Sequence, residues 1–183
     1  GGHPWKSLVN RQGSRLRLAK LKRQLPADRP VALYCHDPAL INHQSVIGLL
    51  PGEIFEAIRD SADDIFWLVR LHPRAAHLIG EVQDFCNAHR LFNVEVEHSS
   101  TLLTEQVMEA ADVLLTKFSV SALEAMSVGL PVVSHSWIGE VTFENYRDHP
   151  LLSFAFEPAD IIKAIHEAKR SAEPFRYVNT DTD

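Results

Sequence analysis

The sequence lacks the motifs that define several large enzyme classes. No Gly-x-Gly-x-x-Gly run follows a predicted strand and no Walker A sequence is present, which disfavours dinucleotide-dependent redox enzymes and P-loop enzymes. Ser121 is not flanked by the glycines of a nucleophile elbow, which disfavours an α/β-hydrolase. The ten histidines show no His-Glu-x-x-His spacing, and no Cys-x-x-Cys accompanies them, so we expect no metal site.

Cysteine is scarce and long apolar runs are absent. The two cysteines, Cys35 and Cys86, fall in a predicted strand and a predicted helix. We expect buried thiols in a reducing compartment, the cytoplasm, rather than a disulfide. No apolar run approaches the ~20 residues of a membrane-spanning helix. A chain of 183 residues that is 45% hydrophobic favours one α/β domain with a substantial core.

Positive charge is also in deficit, except near the N-terminus. The net charge of −6 argues against a general nucleic-acid-binding protein. Residues 11–23 nevertheless contain six arginines and lysines with leucines between them. We interpret residues 1–29 as a basic linker or N-terminal helix. Peripheral contact with the anionic inner membrane is the alternative, and the sparse apolar spacing makes it the weaker one.

The rest of the chain alternates short apolar runs with amphipathic ones. Strands are predicted at residues 31–35, 64–72, 92–96, 112–116, 130–134 and 151–156. Helices are predicted at residues 51–58, 75–89, 102–111, 122–126 and 158–171. This alternation predicts a doubly wound, Rossmann-like α/β domain over residues 30–171, with about six parallel strands and helices on both faces. Residues 137–146 look irregular, and residues 172–183 look like a polar tail.

Residues 111–134 form the best-defined strand–helix–strand unit. Ser119 and Ser121 are predicted to cap its helix, and Gly129 and Pro131 to end it. A helix that starts between two buried strands favours an anion at its N-terminus. We therefore expect a phosphate-bearing ligand at this edge of the sheet.

Polar residues follow most of the predicted strands, and the carboxyl ends of parallel strands share one edge. These residues are His36 and Asp37 and residues 72–74, 98–100, 116–121 and 135–140. Pro73 restricts the backbone at His72 and presents its imidazole to the crevice, where it can bind a phosphate or protonate a leaving oxygen. Arg70 and Arg74 flank His72. They could add positive charge to the site or lie at the surface, and the sequence leaves both open.

Three segments carry a resemblance to a known family. Residues 123–133, LEAMSVGLPVV, resemble the donor-binding signature of glycosyltransferases with the two-lobed GT-B fold. Gly139 and Glu140 resemble the glycine-rich loop and glutamate that follow in many of them. Residues 70–74 are similar to the His-Pro motif of bacterial sialyltransferases and of the CDP-glycerol glycerophosphotransferase and capsule-polysaccharide families. The resemblance covers residues 31–171 and implies the carboxyl-terminal, donor-binding lobe of such an enzyme in surface-polysaccharide synthesis.

The resemblance also implies roles for single residues. Glu124 would hydrogen-bond the ribose hydroxyls of a nucleotide-sugar donor, and Ser119 and Ser121 would hold its phosphates. His72 would be catalytic: it would contact the donor phosphate and stabilise the charge on the departing nucleotide. The remaining candidates for donor binding are Arg70, Arg74 and Glu140. No separate cofactor is implied, because the nucleotide is part of the substrate.

Two departures from the family's motifs narrow the expected mechanism and donor, and the length of the N-terminal segment limits the expected activity. Retaining members carry a glutamate where this chain has Thr116, which favours an inverting mechanism. Val120 interrupts the tandem hydroxyl motif of sialyltransferases, which disfavours CMP-sialic acid as donor. About thirty residues precede the first strand, too few to build the acceptor-binding lobe, so we expect half an enzyme that is inactive without its N-terminal lobe.

Two other functions stay open. A UDP-sugar 2-epimerase uses the same lobe architecture, and its full-length sequence would place acids and histidines around both lobes. A degenerate lobe that serves protein interaction would need neither Glu124 nor His72, and the presence of both speaks against it.

Overall fold

The chain folds around one six-stranded parallel sheet. The computed structural model describes residues 4–37, 46–47 and 50–176. In chain order the strands are β1 (Val31–Cys35), β2 (Val46–Ile47), β3 (Leu50–Pro51), β4 (Phe66–Arg70), β5 (Val94–Glu95), β6 (Val113–Thr116), β7 (Val132–Ser134) and β8 (Leu152–Phe154). The helices are α1 (Pro4–Gln24), α2 (Gly52–Asp60), α3 (Ile79–Ala88), α4 (Glu97–Thr101), α5 (Thr104–Met108), α6 (Ser121–Ser127), α7 (Trp137–Thr142) and α8 (Pro158–Arg176). Two 3₁₀ turns, Pro73–Leu78 and Glu144–Tyr146, complete the list of elements.

The strand order confirms the predicted doubly wound sheet. The parallel strands lie in the order β5-β4-β1-β6-β7-β8, while β2 and β3 form a separate antiparallel pair. Counted along the chain within the parallel sheet, this order is 3-2-1-4-5-6, which is that of the Rossmann fold. The direction of winding reverses between β1 and β6, where Cys35 pairs with Thr116. Ligands of such sheets bind outside the strand ends at this reversal.

Helices cover both faces of the sheet, as predicted. Alternate residues of β1 point to opposite faces: Ala32 and Tyr34 join an apolar cluster with α2, α3 and α8, and Val31 and Leu33 join a second one. The second cluster includes residues of α5 and α6 and also Leu21 of α1, which is fully buried. The basic N-terminal segment is therefore helical, and its C-terminal part packs on the domain. The domain boundaries at residues 29 and 171 stay predictions.

The longest helices lie at the two ends of the described chain. α1 has 21 residues and α8 has 19, and α8 extends five residues into the predicted tail. Among the helices that the structure describes, none has both the length and the apolar character needed to cross a bilayer. Residues 177–183 of the predicted tail lie outside the described residues.

Three local predictions were wrong. Residues 137–146 are not irregular, because the Ser136 hydroxyl accepts a hydrogen bond from Ile138 N–H at 3.2 Å and starts α7. The helix predicted at residues 75–89 begins as a 3₁₀ turn. The helix predicted at residues 102–111 is the shorter α5. A further helix that was not predicted, α4, precedes it, because the Glu95 carboxylate accepts hydrogen bonds from the N–H groups of His98 and Ser99 in the first turn of α4.

Candidate functional site

A cleft of about 410 Å³ opens at the carboxyl edge of the sheet, at the reversal between β1 and β6. The side chains that surround it come from the ends of β1, β4 and β6 and from the first turns of α5 and α6. They are Cys35, His36, Asp37, Arg70, Leu71, His72, Pro73, Thr104, Thr116, Lys117, Phe118, Ser119, Val120, Ser121 and Glu124. Five of the seven site residues predicted from sequence are in this set, and Arg74 and Glu140 are not.

His72 stands directly before the 3₁₀ turn that follows β4. Its extended backbone (φ −59°, ψ 145°) and the proline after it start this turn, and its Nδ1 accepts a hydrogen bond from Arg74 N–H at 3.1 Å. Because Nδ1 is an acceptor, the neutral imidazole carries its proton on Nε2. His72 is exposed, so this second nitrogen can act as a hydrogen-bond donor to an anion in the cleft.

The start of α6 contributes two hydroxyls and a carboxylate to the cleft. The Ser119 hydroxyl accepts hydrogen bonds from Ser121 N–H at 3.3 Å and from the Ser121 hydroxyl at 2.9 Å. Val120 occupies the N-cap position of α6, and no side chain makes a capping hydrogen bond there. Ser121 is the first helical residue. The prediction that both serines cap the helix is therefore wrong in detail. Glu124 lies in the first turn, as expected, and is exposed to the cleft.

Arg70 reaches the cleft but is engaged elsewhere. Its Nη1 donates hydrogen bonds to the carbonyl oxygens of Ser99 and Leu102, the latter at 2.7 Å, and so binds the end of α4. Partial burial lowers the pKa of the guanidinium from its usual value, although the group stays charged at any physiological pH. This geometry gives Arg70 a structural role in addition to any contact with a ligand.

Arg74 and Glu140 lie outside the cleft. The Arg74 side chain is exposed, and only its backbone N–H contacts His72. Glu140 lies on α7 and pairs with Arg147 at 3.1 Å. The segments 98–100 and 135–140 share the carboxyl edge but do not border the cleft, because α4 and α7 fold them back onto the sheet.

A carboxylate–imidazole pair, in which His135 is buried and Glu53 is partly exposed, lies beside the cleft, on the face of the sheet that α2 covers. His135 Nδ1 is 3.1 Å from Glu53 Oε1, and the His135 ring packs against the buried Tyr34 ring at 5.6 Å between centroids. Burial acts to raise the pKa of Glu53. The hydrogen bond from His135, a backbone hydrogen bond and the electrostatic influence of His135 and Lys117 outweigh this effect and hold the pKa of Glu53 below its ordinary value. Glu53 was not among the predicted site residues, because an acid in a first helical turn is common.

No group of three or more His, Cys, Asp or Glu side chains in the described part of the chain is arranged as metal ligands would be. The expectation that the protein uses no metal stays a prediction.

Cys35 gives the cleft a thiol whose chemistry can be followed. Burial raises the pKa of Cys35 to about 11, although Arg70 and Ser121 act to lower it. At pH 8 only about one thiol in a thousand is then ionised, so we expect alkylation by iodoacetamide at least ~100-fold slower than for a free cysteine. The rate should rise about tenfold from pH 8 to pH 9, which peptide mass spectrometry can measure. Cys86 lies outside the cleft, and burial raises its pKa to about 11 as well. Its labelling rate is therefore the comparison for that of Cys35. Rapid labelling of Cys35 that did not change with pH would contradict this.

Known structures share this fold at low sequence identity. No family model matches the chain, and no curated protein matches it. A structure of the wall teichoic acid polymerase TagF matches with 17% identity and a TM-score of 0.55, over 92% of this chain and 43% of its own. UDP-GlcNAc 2-epimerase from Methanocaldococcus jannaschii matches with 13% identity and a TM-score of 0.60, over 91% and 50%. The same epimerase in complex with UDP-GlcNAc and UDP matches with a TM-score of 0.54 and 14% identity, over 90% and 52%.

The chain has the Rossmann-like fold of a GT-B lobe. At these identities the likeness is one of fold, and it includes both the polymerase and the epimerase. The chain spans about half the length of the structures it matches.

Proposed function

We propose that this domain is the nucleotide-sugar-binding lobe of a glycosyltransferase that acts in surface-polysaccharide synthesis. One observation carries the proposal: the fold brings His72, Ser119, Ser121 and Glu124 to one cleft at the topological reversal of the sheet. These residues are separated by up to 52 positions in the sequence. The imidazole and the two hydroxyls can bind the phosphate of a nucleotide, and the carboxylate can bind its ribose. We propose a cytoplasmic location, and peripheral membrane contact through α1 is the weaker alternative to a location free of the membrane.

Each residue has a role that its position permits. Glu124 accepts hydrogen bonds from the ribose hydroxyls, and the Ser119 hydroxyl donates to the phosphate. The Ser121 hydroxyl, which donates to Ser119 at 2.9 Å in the free domain, rotates to donate to the phosphate when the nucleotide binds. His72 donates from Nε2 to the same phosphate, so that charge on the departing nucleotide meets a hydrogen-bond donor already in place. The protein needs no cofactor for these contacts.

Thr116 supports the inverting form of the proposal. Its hydroxyl accepts a hydrogen bond from Ser119 N–H at 3.2 Å, and the residue is almost fully buried at the end of β6. A side chain held in this way orders the turn before α6 and supplies no carboxylate. The base that activates the acceptor then has to come from a second lobe, and we expect no transfer by this domain alone.

Nucleotide titration tests the proposal. We expect UDP, CMP, CDP or GDP to bind with a micromolar-to-millimolar Kd in isothermal titration calorimetry, with chemical-shift changes in NMR spectra. His72→Ala and Glu124→Ala should each weaken binding about tenfold, which corresponds to the loss of about 1.4 kcal/mol. The matched variants His77→Ala and Glu144→Ala change exposed residues that do not border the cleft, and they should bind like the wild type. No heat and no shifted peaks with any of the four nucleotides would overturn the proposal.

A UDP-sugar 2-epimerase-like lobe is the second candidate, because such an enzyme shares this fold, with a TM-score of 0.60. Selective binding of UDP and UDP-GlcNAc, with none of the cytidine or guanosine nucleotides, would favour it. A domain that binds no nucleotide but retains a protein partner would instead be a non-catalytic lobe.

A further inference from the structure

Lys117 borders the cleft but is not one of the seven site residues predicted from the sequence. It is the first residue after β6, at the point where the winding of the sheet reverses. Its side chain is half-buried, and its ammonium lies 5.8 Å from the centroid of the Phe118 ring. A lysine after a strand is usually a solvated surface residue, so its place has to be judged from its surroundings.

The backbone of Lys117 is fixed from two sides. Its carbonyl oxygen accepts a hydrogen bond from the Ser134 hydroxyl at 3.0 Å. Gly139 of α7 packs against the same oxygen so closely that a Cβ on Gly139 would be 2.5 Å away from it. The side chain therefore extends from a rigid base, which reduces the conformational entropy lost when its ammonium binds a ligand.

The charge of Lys117 is not neutralised by an ion pair in the described part of the chain. Glu53 is near enough for the charge of Lys117 to help lower its pKa, but its carboxylate is hydrogen-bonded to His135. Arg70, the other lysine or arginine among the described residues of the cleft, gives Nη1 to the two carbonyl oxygens of α4. Among the described residues of the cleft, Lys117 is thus the cation whose charged group makes no hydrogen bond or ion pair.

The charge balance of the cleft shows why such a cation matters. Two carboxylates, Asp37 and Glu124, border it together with Arg70 and Lys117, so the formal charges of the described lining residues sum to zero with both histidines neutral. Without Lys117 this charge would be −1. A negative cleft would repel a nucleotide, whose phosphates carry one or more negative charges.

We propose that Lys117 binds the phosphate of the donor nucleotide. This inference rests on the proposed function and adds a residue to it, the main source of positive charge in the phosphate subsite. The contact is electrostatic and specific to the phosphate, so it should not affect recognition of the base or ribose. Lysine suits this task as a flexible point charge that can follow the phosphate.

Calorimetric titration of the whole chain with a nucleotide and with its parent nucleoside tests the inference. The pairs are UDP with uridine, CDP and CMP with cytidine, and GDP with guanosine, and the tightest-binding pair is carried through the variants. Lys117→Gln should weaken nucleotide binding about tenfold and leave the nucleoside Kd unchanged. Lys117→Arg, which keeps the charge, should stay within about threefold of the wild type for both ligands. Lys163→Gln removes an exposed lysine on α8 as the matched control and should change neither.

The outcomes separate this inference from the proposal on which it rests. If the wild type binds nucleotides and Lys117→Gln binds them equally well, Lys117 is not the phosphate cation, and the proposed function stands. If Lys117→Gln and Lys117→Arg lose nucleotide and nucleoside binding alike, the lysine acts through packing, and the inference is again wrong. If the wild type binds no nucleotide, both fail together.

Discussion

Replacing Gly139 by alanine is expected to lower the free energy of unfolding by about 3 kcal/mol. Gly139 is buried in α7, where the helix meets the end of β7 and the turn after β6. A Cβ there would overlap the Ser134 hydroxyl and lie 2.5 Å from the Lys117 carbonyl oxygen. The hydrogen bond between these two groups holds the turn, so neither can move without breaking it. Urea denaturation of wild type and variant, followed by circular dichroism, measures the difference.

Gly80→Ala is the matched control for this prediction. Gly80 lies in the first turn of α3, is exposed, and has no atom within 4 Å of the position of an added Cβ. The same substitution should there leave stability unchanged or raise it by up to about 1 kcal/mol, because alanine favours a helix. Equal urea midpoints for Gly139→Ala and the wild type would show that α7 does not pack on β7 as closely as the structure has it.

The contrast between Gly139 and Gly129 shows what the sequence can reveal. Gly129 ends α6 with a φ of +80°, a conformation that its place between an apolar helical run and a proline predicts. Gly139 is needed for close approach between elements that are distant in the fold. No local sequence pattern indicates such a contact. Gly139 and Glu140 resembled a glycine-rich loop with its glutamate, but in the structure Glu140 lies on α7 and pairs with Arg147.

Each of the six predicted strands contains a strand of the parallel sheet, although β4–β8 are shorter than predicted. They could be predicted because parallel strands are buried on both faces. Residues 31–35 and 66–70 are apolar runs of this kind, and the structure has strands at both. No residue pattern indicates the order of the strands in the sheet. That order could be expected only because chains that alternate strands and helices commonly form doubly wound sheets. Short helices such as α4 and α7 were missed, because side chains outside them, Glu95 and Ser136, supply the hydrogen bonds that start them.

The site was predicted best where its geometry is local. The His72-Pro73 pair determines its own turn, and the parallel strands bring it to the same edge as the start of α6. Arg74 was placed in the site because it is close in sequence, but a 3₁₀ turn directs it into solvent. Lys117 was not singled out, since only the fold shows that its neighbours leave its charge available.

Arg70→Met is expected to lower the free energy of unfolding by about 2–6 kcal/mol. The Arg70 guanidinium satisfies the carbonyl oxygens of Ser99 and Leu102, which terminate α4, and its aliphatic part lies in a half-buried position. Methionine keeps most of the apolar volume and removes the hydrogen bonds. Two carbonyl groups that are partly excluded from water then lose a charged donor, and each such loss costs about 1–3 kcal/mol.

The neighbouring arginine provides the control for this experiment. Arg74→Met changes the same residue type four positions along, at an exposed site whose side chain makes no hydrogen bond or ion pair within the described residues. We expect its urea midpoint to match the wild type within about 0.5 kcal/mol. Arg70→Lys should lie near Arg70→Met, because an ammonium at the end of a shorter side chain does not reproduce the fixed geometry of the guanidinium.

Nucleotide titration of the same variants then decides what Arg70 does in the cleft. If the main role of Arg70 is to anchor α4, Arg70→Met should lose more free energy of unfolding than free energy of nucleotide binding. The binding free energy is measured for the fraction of the variant that remains folded. A variant as stable as the wild type that no longer binds nucleotide would reverse this assignment. The charge of Arg70 would then act on the ligand, as the sequence alone allowed, and Lys117 would share the phosphate with it. The two measurements together therefore separate an arginine that builds the cleft from one that binds in it.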